Sequence, residues 1–257
     1  MEINLDNKGI IITGASKGLG LISAQLLANE NARLVLMSRS LETMEEHRKS
    51  FANPDNHLCL KVDLDNLEEI KEGINKAKTF LNDIDAVIHV AGGGLGLRDP
   101  IINGSDFDKL YKLNLRSIIE INSLILPEMI KQGKGNIVLV GSVASTDAVA
   151  SVGYNTVKAA LSTYVRSLGN EMARYSIIIT GILPGGFIAP GNSWERLSKD
   201  KPEVVENFIK QRLPRGFLGK AEEIFPLICW LCSDKASMMS GCMVPIDAGE
   251  GKSYIYP

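Results

Sequence analysis

The sequence predicts a doubly wound α/β fold, a parallel sheet with helices on both faces, built as one domain over residues 1–257. Three observations predict it. Short β-branched runs alternate with segments of helical spacing along the chain. The runs are near-continuous in apolar character, as strands covered on both faces should be. No internal repeat, low-complexity tract or Pro/Ser-rich linker divides the sequence.

In chain order, the strands are placed at Ile10-Ile11-Ile12, Leu34-Val35-Leu36, Leu58-Cys59-Leu60, Ala86-Val87-Ile88, Ile137-Val138-Leu139-Val140, Ile177-Ile178-Ile179 and Cys242-Met243-Val244. Helical spacing covers roughly 18–29, 41–51, 67–81, 105–132, 153–174 and 221–232. Strand, helix, strand repeated in this way implies right-handed crossovers and a parallel sheet. The 105–132 segment is apolar on nearly every side, where a helix covering one sheet face needs only a stripe. Either a partner subunit or a wider intrachain core takes up the excess. The segment 186–214 interrupts the alternation and is long for a plain connection, so it reads as a substrate-binding loop or lid.

Bulk numbers exclude several classes. Lys and Arg total 28 against 30 Asp and Glu, a net charge of −2, which gives no bulk attraction to nucleic acid or an anionic membrane. No stretch approaches the ~20 apolar residues of a membrane span. Met1-Glu2-Ile3-Asn4 lacks the basic and apolar regions of a secretory signal. Four cysteines make no disulfide framework in a chain this long. The expected compartment is cytoplasmic.

The chemistry starts at the first strand, which runs into Thr13-Gly14-Ala15-Ser16-Lys17-Gly18-Leu19-Gly20 before a helix. Glycines at these places permit a tight turn, close approach of a pyrophosphate and close helix–strand packing, and the helix N-terminus offers free N–H groups to phosphates. The second strand ends in Met37-Ser38-Arg39-Ser40, where an acidic residue would hold a ribose 2′-hydroxyl. Arg39 stands there instead. With Lys17 it can bracket a 2′-phosphate, so the expected cofactor is NADP(H) rather than NAD(H). The competing reading makes both residues solvated surface charges.

Ser142 closes the fifth strand, and Tyr154-Asn155-Thr156-Val157-Lys158 follows on a helix that puts Tyr154 and Lys158 one turn apart. A nearby ammonium favours the phenolate, so Lys158 is expected to lower the Tyr154 pKa. Ser142 is placed to orient a substrate oxygen, with Ser145 as the alternative. Asn114, polar within an apolar helix, is expected to bind a water leading from Lys158 to solvent. No residues are assigned to a metal.

With these motifs in place, the chain resembles the short-chain dehydrogenase/reductase family over its whole length. The resemblance rests on Thr13-Gly14-x-x-x-Gly18-x-Gly20, Asp63, Asn114, Ser142, Tyr154, Lys158, Pro184-Gly185, Leu213-Pro214-Arg215-Gly216 with Glu222-Glu223, and the ending Gly241 to Gly249. It implies a seven-stranded Rossmann sheet, a homodimer or homotetramer, and hydride transfer between nicotinamide and a ketone or alcohol. It implies that Tyr154 transfers the proton, Lys158 binds the nicotinamide ribose and tunes Tyr154, Asn114 supports the relay, Asp63 meets adenine and Ile188 the carboxamide. Gly14, Ser16, Lys17, Gly18, Leu19, Gly20, Ser38, Arg39, Leu64, Ala91, Gly92, Pro184 and Gly185 complete the expected cofactor contacts.

The chain departs from the family in three places, one being a Ser142-to-Tyr154 spacing one residue shorter than the commonest form. The usual Asn-Asn-Ala-Gly reads His89-Val90-Ala91-Gly92, and Ala189 stands where a threonine usually follows Pro-Gly. His89 either replaces a lost amide or is a satisfied core residue. Reduction of an activated C=C bond, and a dinucleotide-sensing protein without turnover, are the alternative functions. Both fit the retained Tyr154 and Lys158 pair less well. Cys229-Trp230-Leu231-Cys232 reads as core packing within an apolar helix. Met238-Met239 reads as core or pocket lining, and the Tyr254-Ile255-Tyr256-Pro257 tail as docking on a neighbouring subunit or fraying. The expected partner is a small carbonyl or alcohol substrate, with Arg98, Asn192, Trp194 and Arg196 as candidate pocket residues or plain surface.

Overall fold

A computed structural model describes residues 3–253; the aromatic tail from Tyr254 lies outside them. Seven strands form one parallel sheet: β1 (Gly9–Thr13), β2 (Arg33–Ser38), β3 (His57–Lys61), β4 (Ala86–His89), β5 (Gly135–Val140), β6 (Ile177–Pro184) and β9 (Met243–Ile246), in the order β3-β2-β1-β4-β5-β6-β9. Every strand expected from the apolar runs is present. The order reverses direction between β1 and β4, which opens a crevice at the carboxyl edge of the sheet.

Alternate residues on each strand feed two separate cores. Ile10 and Ile12 pack with α1 (Gly18–Asn29), α2 (Leu41–Arg48) and α9 (Ala221–Leu231) on one face. Ile11 packs with α3 (Leu67–Leu81), α5 (Ser117–Gln132) and α6 (Val152–Met172) on the other. The fold is thus the doubly wound Rossmann type. The cores consist mainly of Ile, Leu and Val, and each fully buried side chain of this size contributes about 1.5–3 kcal/mol.

The expected 105–132 helix is three pieces in succession: α4 (Gly104–Tyr111), a π-helical turn (Lys112–Arg116) and α5. A π turn inserts a residue into the ladder and often marks a functional site; Asn114 lies in it. Much of the excess apolar character of α5 is absorbed within the chain. Ile118, Ile121, Ile125 and Met129 are buried, and Ile119, Leu124 and Leu126 pack against the same core. Tyr111 and Ile130 remain outward-facing.

The segment after β6 is not a bare loop. It contains β7 (Phe187–Ile188), α7 (Ser193–Asp200) and α8 (Pro202–Arg212), and β7 pairs in parallel with β8 (Gly219–Lys220). The Asn192 side chain caps α7 by accepting the Glu195 N–H, and Pro202 sits in the first turn of α8, where a missing N–H costs nothing.

Candidate active site

The glycine turn bridges β1 and α1. Gly14 has φ +69°, and a Cβ there would lie 2.8 Å from the Ala91 nitrogen. A Cβ on Gly20 would collide with the Gly14 carbonyl oxygen, so the helix can sit this close to the turn only with glycine. The α1 N-terminus has no side-chain cap and no acidic residue in its first turn. Its dipole and N–H groups therefore favour an anion. Ser16 is half-buried at the mouth of the turn, Lys17 is exposed, and Leu19 is buried beneath.

β2 runs beside the turn, with the Gly14 N–H donating to the Met37 carbonyl at 2.9 Å. This brings Ser38 and Arg39 to the same edge. Arg39 is exposed, and neither it nor Lys17 has a salt-bridge partner among the described residues. Asp63 stands beyond β3. Its N–H donates to Glu69 at 2.8 Å, and its Oδ1 accepts from the Asp65 N–H at 3.1 Å, with half-buried Leu64 between. The residues present fit a dinucleotide: a helix terminus without a side-chain cap for the diphosphate, and at its rim cations that make no salt bridge among the described residues.

The catalytic candidates converge from three elements. Ser142 follows β5 in extended backbone and opens a short 3₁₀ turn, its Oγ accepting the Ala144 N–H at 3.1 Å. Tyr154 and Lys158 lie one turn apart on α6, with the Lys158 Nζ 5.7 Å from the phenol ring centroid. Lys158 is 3 % exposed and donates to the Val140 carbonyl at 2.8 Å. Between them runs the loop after β4. A Cβ on Gly92 would lie 2.9 Å from Asn114 Oδ1 and 3.3 Å from Lys158 Nζ, and one on Gly94 would lie 3.8 Å from the Tyr154 ring. Asn114, Lys158 and Tyr154 therefore all face the Ala91–Gly94 loop.

One expectation needs correcting. The Tyr154 pKa is not lowered: burial pushes the phenol up to about 12, and only a hydrogen bond with Ser142 works against it. The ammonium is directed at the Val140 carbonyl instead, and burial pulls Lys158 down to about 8. Asn114 spends both amide hydrogens inside the chain, on the Gly93 carbonyl at 3.0 Å and the Leu110 carbonyl at 2.9 Å, while its Oδ1 accepts the Gly93 N–H at 2.9 Å. These bonds brace the loop against which Lys158 packs.

The other candidates separate clearly. Ser142, not Ser145, reaches the phenol; the Ser145 Oγ is buried without a partner among the described residues. His89 is buried, its Nε2 2.9 Å from Asn122 Oδ1, and Asn122 donates on to the Tyr164 hydroxyl at 3.1 Å. Burial lowers His89 to about 4, so it is neutral, and its Nδ1 has no partner among the described residues. It stands in the core as a polar link between β4, α5 and α6. Cys229 and Cys232 are both buried, and burial raises both thiols, Cys229 to about 11, which makes them poor nucleophiles. Met239 packs on the core while Met238 is 94 % exposed.

Pro184 ends β6 and Gly185 follows it, and Ile188 is half-buried in β7 beside buried Ala189. The loop then crosses to the glycine turn, where the Gly18 N–H donates to the Pro190 carbonyl at 2.6 Å. Three of the four substrate-pocket candidates build this segment. Trp194 stacks on Phe208 at 4.1 Å, Arg196 donates to the Gly191 carbonyl at 2.6 Å, and Asn192 donates to the Phe187 carbonyl at 2.8 Å. Arg98 is exposed. A cavity of about 330 Å³ behind the segment, lined in part by Phe187, Arg215 and Asp247, reaches none of Ser142, Tyr154 or Lys158. Sequence reading missed the Val140 carbonyl, Pro190 and Glu250. The first two act through backbone atoms, which no residue type announces.

Comparison with known proteins gives consistent relatives. The family described as short chain dehydrogenase matches residues 8–199. The chain is 29 % identical to 3-oxoacyl-(acyl-carrier-protein) reductase of Aquifex aeolicus (strain VF5), over 97 % of this chain and 99 % of that one. It is 30 % identical to levodione reductase of Leifsonia aquatica, over 95 % and 94 %. A crystal structure of levodione reductase superposes with a TM-score of 0.89 at 28 % identity, covering 97 % of this chain and all of that one. A 7α-hydroxysteroid dehydrogenase solved with NADH and 7-oxo glycochenodeoxycholic acid superposes with a TM-score of 0.88 at 26 % identity, over 98 % of each chain. No described helix is long and apolar enough to cross a membrane.

Proposed function

The chain belongs to the short-chain dehydrogenase family, oxidoreductases that act on alcohol and ketone carbons with a nicotinamide cofactor, and from that premise we propose that it is an NADP(H)-dependent ketone reductase or alcohol dehydrogenase with Tyr154 as its acid/base. The observation that carries this reading is the convergence of Ser142, Tyr154 and Lys158 beside the Ala91–Gly94 loop at the carboxyl edge of the sheet.

The glycine turn, Lys17, Ser38, Arg39, Asp63 and the Pro184–Ile188 stretch would hold the dinucleotide, which supplies or takes up the hydride when bound. The chain does the rest. Ser142 holds the substrate oxygen beside the phenol. Tyr154 carries its proton at neutral pH, since burial keeps it in the phenol form, and donates it to that oxygen as a carbonyl becomes an alcohol. Lys158, buried and with its pKa brought down to about 8, places a positive charge beneath the phenol that favours the phenolate left after donation. Asn114 keeps the Gly93 backbone in place against this pair.

NADP(H) is preferred over NAD(H) because Lys17 and Arg39 can meet a 2′-phosphate and no acid faces the 2′-hydroxyl. A relative in this fold takes NADH, so these two residues, not the fold, carry the preference. The protein acts in the cytoplasm as a homodimer or homotetramer, with outward Tyr111 of α4 and Ile130 of α5 available for the contact. The test is oxidation of NADPH and of NADH against a panel of ketones that includes levodione and a 3-oxoacyl thioester. Turnover with NADPH on at least one supports the reading. Binding of NADPH with no turnover on any replaces it with a sensing role.

A further inference from the structure

One buried carboxylate joins the two ends of the segment between Gly186 and Pro214. Glu250 follows β9 and is 3 % exposed. Its Oε2 accepts the Gly186 N–H at 2.7 Å, where the segment leaves the sheet. Its Oε1 lies 3.4 Å from Arg212 Nη2, where α8 ends. The fit is close enough that a Cβ on Gly185 would lie 2.7 Å from Oε2. A carboxylate this deep is rarely found unless paired, and breaking such a pair from one side is costly.

The two neighbours of this clamp tie it to the rest of the site. The chain around Glu250 is held locally by the Gly251 N–H donating to Asp247 Oδ2 at 2.9 Å, and is fixed to the turn after Ser142 by the Lys252 N–H donating to Asp147 Oδ2 at 2.8 Å. The clamped segment itself rests on the glycine turn through the Pro190 carbonyl. There the Gly191 N–H donates to Glu195 at 2.6 Å and the Gly191 carbonyl accepts from Arg196 at 2.6 Å, so the tip is stiffened from within α7.

We propose that Glu250 is a positioning residue that clamps both ends of the 186–214 segment, and so sets how tightly that segment lies over the glycine turn and how fast a dinucleotide leaves it. The second half rests on the cofactor reading above; the first does not.

Backbone hydrogen exchange on the full chain, compared among wild type, Glu250→Ala and Glu250→Gln, separates the two halves when paired with stopped-flow fluorescence of NADPH release. Loss of a charge-assisted bond predicts exchange in 186–214 faster by about tenfold to a hundredfold in Glu250→Ala, with β1, β4, β5 and β6 unchanged. Release of NADPH speeds up in step. Glu250→Gln, which keeps an acceptor for the Gly186 N–H but loses the charge facing Arg212, falls between. Unchanged exchange in 186–214, or an equal rise throughout the sheet, overturns the clamp. Faster exchange with unchanged NADPH release overturns the gating. A selective rise in exchange in a protein whose wild type binds no NADPH leaves the clamp standing and removes the cofactor reading instead.

Discussion

Lys158 and Tyr154 share one face of α6, yet the ammonium is hydrogen-bonded to the Val140 carbonyl 2.8 Å away rather than to the phenol, whose ring centroid lies 5.7 Å from it. Both groups are therefore poised by burial in opposite directions, the phenol towards about 12 and the amine towards about 8. A neutral acid above a buried cation suits proton donation to a carbonyl oxygen. It also makes the pair's cost to folding measurable.

For Lys158 the folded pKa of about 8 lies below the ordinary lysine value, so between these two the unfolded chain binds more protons than the folded one. Stability due to this residue is depressed below pH 8 and recovers as pH rises towards 10.5. The stability of wild type minus that of Lys158→Met should rise by roughly 3 kcal/mol between pH 8 and 10.5, read by urea denaturation at each pH. Tyr154 titrates above this window in the folded state, and its presence in both proteins cancels its effect. A flat difference would show that Lys158 is not desolvated.

Arg39→Ala should weaken NADPH binding by about tenfold to a hundredfold, the loss expected of a charge-assisted hydrogen bond, and leave NADH binding nearly unchanged. Lys17→Ala should act in the same direction and less strongly, because a lysine makes a point contact rather than a fork. Fluorescence titration with both dinucleotides measures this, and equal losses for the two would remove the 2′-phosphate role.

Asn114→Leu should destabilise the fold by about 2–4 kcal/mol, because it leaves the Gly93 N–H, the Gly93 carbonyl and the Leu110 carbonyl without their partner. The same change should reduce turnover in the molecules that stay folded, since the Ala91–Gly94 loop lies between Lys158 and Tyr154. Thermal denaturation and steady-state kinetics at a temperature well below the transition separate the two effects.

The fold was legible because its signal is redundant. Each strand is a run such as Ile10-Ile11-Ile12 whose alternate residues enter two cores, so continuous apolarity could mean little else. The glycine turn, Ser142, Tyr154 and Lys158 were legible for another reason: each position needs one residue type. What stayed hidden was carried by backbone atoms or by spatial neighbours far apart in sequence. The Pro190 and Val140 carbonyls have no signature, and Glu250 meets Gly186 only because β6 and β9 pair. The helices α7 and α8 did leave signals, in Asn192 with Glu195 three residues on and in Pro202, but short charged helices lack the apolar stripe that announces longer ones.

The most direct test is single-turnover reduction of a reactive ketone by NADPH with wild type and Tyr154→Phe, after hydrogen exchange has shown that the variant folds and fluorescence that it binds NADPH. Removing a general acid predicts a drop in the chemical step of about a hundredfold to ten-thousandfold with little change in NADPH affinity. A variant that reduces the ketone as fast as wild type would contradict the assignment of Tyr154 as proton donor.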